Sequence, residues 1–166
     1  METDSFYSPS KGKLSLPQTI LAIVNFLQEE PEASYNLVIG TDSHEYKKNG
    51  QAEIDFVTAV VAHRRGYGGR YFWQRIKKEK MHTLREKIYT ETLLSLKLAQ
   101  SLVPKVKDKL NGQVAKYDLE IHIDVGEKGE TREMIKEVVG MVTGNGFCAK
   151  TKPEAYGAYV VADKHT

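Results

Sequence analysis

A single cysteine in 166 residues excludes an internal disulfide framework and any cage of thiolate ligands for a metal. That cysteine, Cys148, lies between Phe147 and Ala149, a setting that reads as a small buried hydrophobe and not as a nucleophile. Long apolar runs are missing too. No stretch approaches the ~18 residues needed to span a bilayer, and the start METDSFYSPSKGK has no apolar core behind a basic one. The expectation is a cytoplasmic protein with no membrane partner. An excess of charge is also absent: 24 Lys and Arg face 22 Asp and Glu, for a net charge of +2. No bulk field gathers nucleic acid here, so any phosphate-binding surface must be a local patch.

What is present is the composition of one ordinary globular domain, 40% hydrophobic and 28% charged. A chain of this length buries about 70% of its unfolded surface, enough for a core without disulfide or metal staples. Neither an internal repeat nor a low-complexity tract interrupts it.

Residues Phe6 to Lys13 read as a poorly ordered or clamped arm. Ser15 as N-cap and Pro17 near the first helical position open a helix carrying Ile20, Ile23, Val24 and Leu27 at helical spacing, stopped by Glu29-Glu-Pro31. Asn36 to Gly40 is then an almost continuously apolar run, the pattern of a central strand. The Asn49-Gly50 turn signal, the run Ile54 to Ala62 and the aromatic segment Arg70 to Lys77 complete three hairpin-connected strands. A long helix follows from about Thr83 to Leu110, with Pro104 expected to kink or break it. Leu119 to Val125 alternates with a period of two. Thr131, as N-cap, begins a helix that ends at Gly144-Asn-Gly146, and Phe147 to Lys150 is a short strand. The last segment, from Lys152-Pro-Glu154 through Asp163, favours a helix, with Tyr156 to Val161 as a competing strand.

Four acids stand out by position. Asp42 follows the apolar strand directly, Glu91 interrupts the apolar stripe of the long helix, Asp124 closes the alternating strand, and Asp163 lies near the C-terminus. Taken singly, an Asp at a strand end is a turn or cap residue. A Glu on an apolar stripe is harder to dismiss, because an ionised carboxylate facing a core is costly unless a cation or hydrogen bonds compensate it. Carboxylates at the ends of two strands and on the helix between them can converge, and an oxygen ligand set suits Mg²⁺ or Mn²⁺. His44 and His122 lie two residues from Asp42 and Asp124, so on strands they share a face with them and could join a metal cluster. The alternative is a turn residue and a hydrogen-bonded sheet histidine.

The order β-β-β-α-β-α-β-α behind an extra N-terminal helix, with acids at these four places, resembles the ribonuclease H-like superfamily, a mixed α/β fold. The run Tyr35-Asn-Leu-Val-Ile-Gly-Thr-Asp-Ser43 and the tail Lys152-Pro-Glu-Ala to Val161-Ala-Asp-Lys164 are similar to the YkuK-type family within it. The resemblance covers about residues 35–166; residues 1–34 are then an arm and helix packing on that core. It implies that Asp42, Glu91, Asp124 and Asp163 hold two Mg²⁺ or Mn²⁺ ions for phosphodiester hydrolysis, Asp42 bridging them. Where ribonuclease H enzymes often carry a histidine after the fifth strand, this chain offers Lys150 and Lys152.

For nucleic acid, the segment holding Arg64, Arg65, Arg70, Arg75, Lys77, Lys78 and Lys80 interleaved with Tyr67, Tyr71, Phe72 and Trp73 is the candidate surface, cations meeting phosphates and aromatics stacking bases. The plainer alternative is a solvated hairpin whose aromatics pack in the sheet. Three functions follow: a metal-dependent nuclease of RNA, DNA or hybrid; a non-catalytic binding module of the same fold; and a His/Asp metal hydrolase of a small phosphorylated substrate.

Overall fold

Ser15 caps the first helix as its chemistry dictates: its hydroxyl accepts from the Gln18 amide at 3.2 Å, and the Gln18 side chain accepts from the Ser15 amide at 2.8 Å. In the computed structural model, which describes residues 5–79, 83–112, 116–126 and 129–152, this helix is α1 (Leu16–Glu29). The residues before it form no loose arm. Strands β1 (Ser5–Ser8) and β2 (Gly12–Ser15) make a hairpin, because Phe6 is buried in the core and Tyr7 stacks on Trp73 at 4.8 Å.

Three long strands follow: β3 (Ser34–Lys48), β4 (Gln51–Arg64) and β5 (Gly68–Glu79). Asn49 and Gly50 join the first two, both at positive φ, which is why Asn and Gly stand there. Then come α2 (Leu84–Leu110), β6 (Lys116–His122), a 3₁₀ turn (Arg132–Met134), α3 (Ile135–Gly144) and β7 (Cys148–Lys150). The strands form one mixed sheet in the order β2-β1-β5-β4-β3-β6-β7. Antiparallel pairing runs from β2 to β3, and parallel pairing joins β3 to β6 and β6 to β7.

One apolar cluster joins Ile23 and Leu27 of α1, Leu102 and Val106 of α2, and Val138 and Val142 of α3 to Leu37, Ile39, Val60, Phe72 and Ile121 of the sheet. The three described helices therefore pack on one face. The opposite face has a smaller cluster of Val38, Val57 and Ala59, with Val61 and Trp73 against it. The mixed α/β class read from the sequence is the observed one.

Several local expectations are corrected. The long helix runs unbroken through Pro104, which is exposed, so only the solvent-side carbonyl of Gln100 loses its donor. Thr131 makes no side-chain cap; its hydroxyl accepts from the Gly126 amide at 3.2 Å and ties down the loop after β6. Cys148 is exposed, because β7 is an edge strand. The last predicted helix, and the strand that competed with it, lie outside the described residues. Among the described residues, no helix is long and apolar enough to cross a membrane.

Candidate functional site at the end of the parallel strands

β6 pairs with β3 only as far as Gly40, which sits opposite His122. Beyond that point β3 continues alone on this side, and the chain leaving β6 turns away through Ile123 and Asp124. The gap between a continuing strand and a departing one is where ligands bind in α/β sheets. Asp42 lies just past the divergence. It is not at a strand end, as the short apolar run suggested, but in the middle of a strand reaching Lys48. Asp124 stands two residues beyond the end of β6, in a bend.

Helix α2 crosses the helix-bearing face of this divergence. Thr41 hydrogen-bonds Ser95 at 2.7 Å and Thr58 at 3.0 Å, a buried hydroxyl seam that fixes the helix over β3. One turn earlier on α2 comes Glu91, only 6% exposed, its Oε2 accepting from the Ser43 hydroxyl at 3.3 Å. Burial pushes the Glu91 carboxyl up to about 8, and the charges of Asp42 and then Asp124 add to the rise. Ser43 and Lys87 pull the other way without cancelling it. Thr41, Glu91, His122 and Asp124 border one small recess. Glu91 and Asp124 border the recess together, whereas Asp42, in the row of Val57 on the sheet's other face, does not border it and acts on Glu91 through its charge.

Asp124 carries a second anomaly. Its Oδ1 is sealed from water, and its partner among the described residues is the Lys152 ammonium, 2.5 Å away. The backbone holds Lys152 there: Ile123 donates to the Lys150 carbonyl at 2.9 Å, and Lys152 donates to the Val125 carbonyl at 2.8 Å. Lys150 itself sits on β7 opposite His122.

The histidines do not join the acids in one ligand group. His122 is buried and its Nε2 lies 3.0 Å from Glu120, while His44 is exposed and stacks on Tyr46. Among the described residues no three His, Cys, Asp or Glu side chains converge closely enough to hold an ion as they stand. Asp163 lies outside the described residues. The donor chemistry nevertheless suits a hard divalent cation: three carboxylates, one of them buried with its carboxyl raised, and another whose buried oxygen already holds a cation, the Lys152 ammonium.

The arginines expected to grip substrate have other partners. Arg64 pairs with Glu29 at 2.8 Å, donates to the Tyr35 hydroxyl at 3.2 Å and lies over the Phe26 ring at 4.8 Å. Arg65 bonds Asn36 and pairs with Asp118, and Arg70 lies over the Phe26 ring at 5.0 Å. Register sets Arg64 opposite Tyr35, seven residues or about 24 Å along β3 from Asp42. Arg75 differs. It lies in the same cross-strand row as Asp42, through Val57 of β4, about 10 Å away, over the Trp73 ring and 3.9 Å from Asp55. Phe72 is buried in the core, as the plainer alternative held, whereas Tyr67 is exposed at the remote turn.

Sequence reading missed Ser43, Lys87 and the position of Lys152. Lys87 was discoverable, four residues before Glu91 on the same helix face.

A model of the ribonuclease H-like family matches residues 18–166, so all of α1 but its first two residues falls within the matched region. The chain is 34% identical to the uncharacterised protein YkuK of Bacillus subtilis (strain 168), over 97% of this chain and 96% of that one. No solved structure matches.

Proposed function

This chain belongs to the ribonuclease H-like family, and from that premise we propose that it is a divalent-metal-dependent phosphodiesterase acting on nucleic acid. The observation that carries this reading is Glu91: a carboxylate buried on the apolar face of α2, its carboxyl raised by that burial and then by Asp42 and Asp124. A cation shared with those two residues would supply the missing compensation.

Asp42, Glu91 and Asp124 would hold Mg²⁺ or Mn²⁺, with Asp163 as the fourth expected ligand. Bound there, such ions supply Lewis acidity that activates water and stabilises the leaving oxygen of a phosphodiester. The chain's own groups prepare the place. Ser43 orients the Glu91 carboxylate through its hydrogen bond, the Thr41–Ser95 contact sets the height of α2 over β3, and the Thr131–Gly126 bond fixes the loop after Asp124. Arg75, held over the Trp73 ring in the Asp42 row, provides a cation for a phosphate.

A second reading, a non-catalytic nucleic-acid-binding module, is favoured by one observation: an ammonium already sits on Asp124. Purified protein with Mg²⁺ or Mn²⁺ on labelled single-stranded, duplex, hybrid and branched substrates separates the two. A nuclease cleaves at least one of them, and Asp42→Asn, Glu91→Gln and Asp124→Asn each lower the rate at least about a hundredfold. Equal background cleavage by all four proteins, with binding retained, establishes the module instead.

A further inference from the structure

Lys152 carries an observation that the nuclease reading does not absorb. Its ammonium rests on a carboxylate oxygen of the site that is sealed from water and has no other partner among the described residues. The position is built and not incidental. The chain after β7 runs alongside residues 123–126, with paired backbone bonds at Ile123 and Val125. Gly126 leaves the room: a Cβ there would stand 3.2 Å from the Lys152 Cβ, tighter than ordinary packing allows. The lysine stem is thereby led past Gly126 to Asp124. The far side of the side chain stays in contact with solvent, 49% exposed, so the ammonium has somewhere to go when displaced.

Resting on the metal-site reading above, we infer that Lys152 is an intramolecular counter-cation that competes with the divalent ion for Asp124. Without metal, its ammonium offsets the negative charge of Asp124 beside Glu91 and Asp42. With metal, Asp124 exchanges one cation for another, and Lys152 is released toward the crevice mouth, where an anionic substrate arrives. At Asp124 itself the exchange of one cation for the other moves no proton and breaks no covalent bond. Its consequence is a metal affinity set deliberately low, because each ion must displace a tethered competitor.

The test is calorimetric titration of Mn²⁺ into the full chain and two variants, Lys152→Met, which keeps the stem and deletes the charge, and Lys152→Arg, which keeps the charge. Lys152→Met is expected to bind Mn²⁺ about five- to tenfold more tightly than wild type, the worth of a partly exposed ion pair, with Lys152→Arg close to wild type. In EDTA, Lys152→Met should melt at a lower temperature than wild type, and Mn²⁺ should restore it. Equal or weaker Mn²⁺ binding by Lys152→Met overturns the competitor role while leaving the metal site standing. Failure of all three proteins to bind Mn²⁺ overturns the metal-site reading, and this inference with it.

Discussion

The Ser43 hydroxyl donates to Glu91 Oε2 at 3.3 Å, joining the residue after Asp42 to the buried carboxylate of α2. Its effect on Glu91 opposes burial and the neighbouring acids, since a donor favours the charged form. Ser43→Ala should push the Glu91 carboxyl above its present value of about 8. Mn²⁺ titrations across pH will show this as an affinity curve displaced to higher pH with the fold intact; an unmoved curve removes Ser43 from the site.

Metal binding should depend on pH with a defined sign. Glu91 holds its proton below about 8, and a ligating carboxylate must lose it, so affinity rises with pH up to about 8 and then levels. Titration at pH 7 in two buffers of different ionisation enthalpy should reveal about one proton released per binding event. No proton release leaves Glu91 outside the coordination sphere.

Stability of the metal-free protein carries the same signature in reverse. The Glu91 carboxyl is raised from 4.5 unfolded to about 8 folded, so the folded state holds more protons between those values. Its contribution is fully present below pH 4.5, declines as pH rises, and is lost above about 8. Glu91→Gln should remove that slope and stabilise the protein in EDTA at pH 8.5, by on the order of 1–3 kcal/mol. Denaturant unfolding at several pH values measures it; a destabilised Glu91→Gln protein at pH 8.5 contradicts the account.

Arg64 is structural. Its guanidinium joins Glu29, Tyr35 and the Phe26 ring and so fastens α1 to the sheet. Arg64→Met should lower the melting temperature by a few degrees and leave nucleic-acid binding and cleavage at wild-type levels. Arg75→Met should do the opposite, weakening binding at nearly unchanged stability. Thermal melts beside filter-binding assays on both variants check the pair.

The three-strand meander, the capped helix before it and the helix carrying Glu91 were legible because local chemistry and packing agree there: Ser15 with Gln18, Asn49 with Gly50, and the apolar stripe of α2. Asp42 was misplaced because Thr41 to Lys48 looks polar enough for a loop. It stays a strand because β4 pairs with every residue of it, one antiparallel face meeting solvent. The hairpin of β1 and β2 was missed since its pairing depends on Tyr7 meeting Trp73, 66 positions later in the chain. Lys152 stands out in the sequence only as a basic residue after the fifth strand of the core; the parallel register of β6 and β7 is what brings it to Asp124. The structural partners of Arg64 and Arg65 were hidden for the same reason: Glu29 and Asp118 are distant from them in sequence.

The most direct test of a shared cation site is anomalous diffraction at the manganese edge from crystals of the full chain grown with Mn²⁺. The account predicts a peak within coordination distance of Asp42, Glu91 and Asp124 carboxylate oxygens, with the Lys152 ammonium displaced from Asp124. An Mn²⁺-saturated crystal with no peak between those three residues, and Lys152 still seated on Asp124, would contradict it.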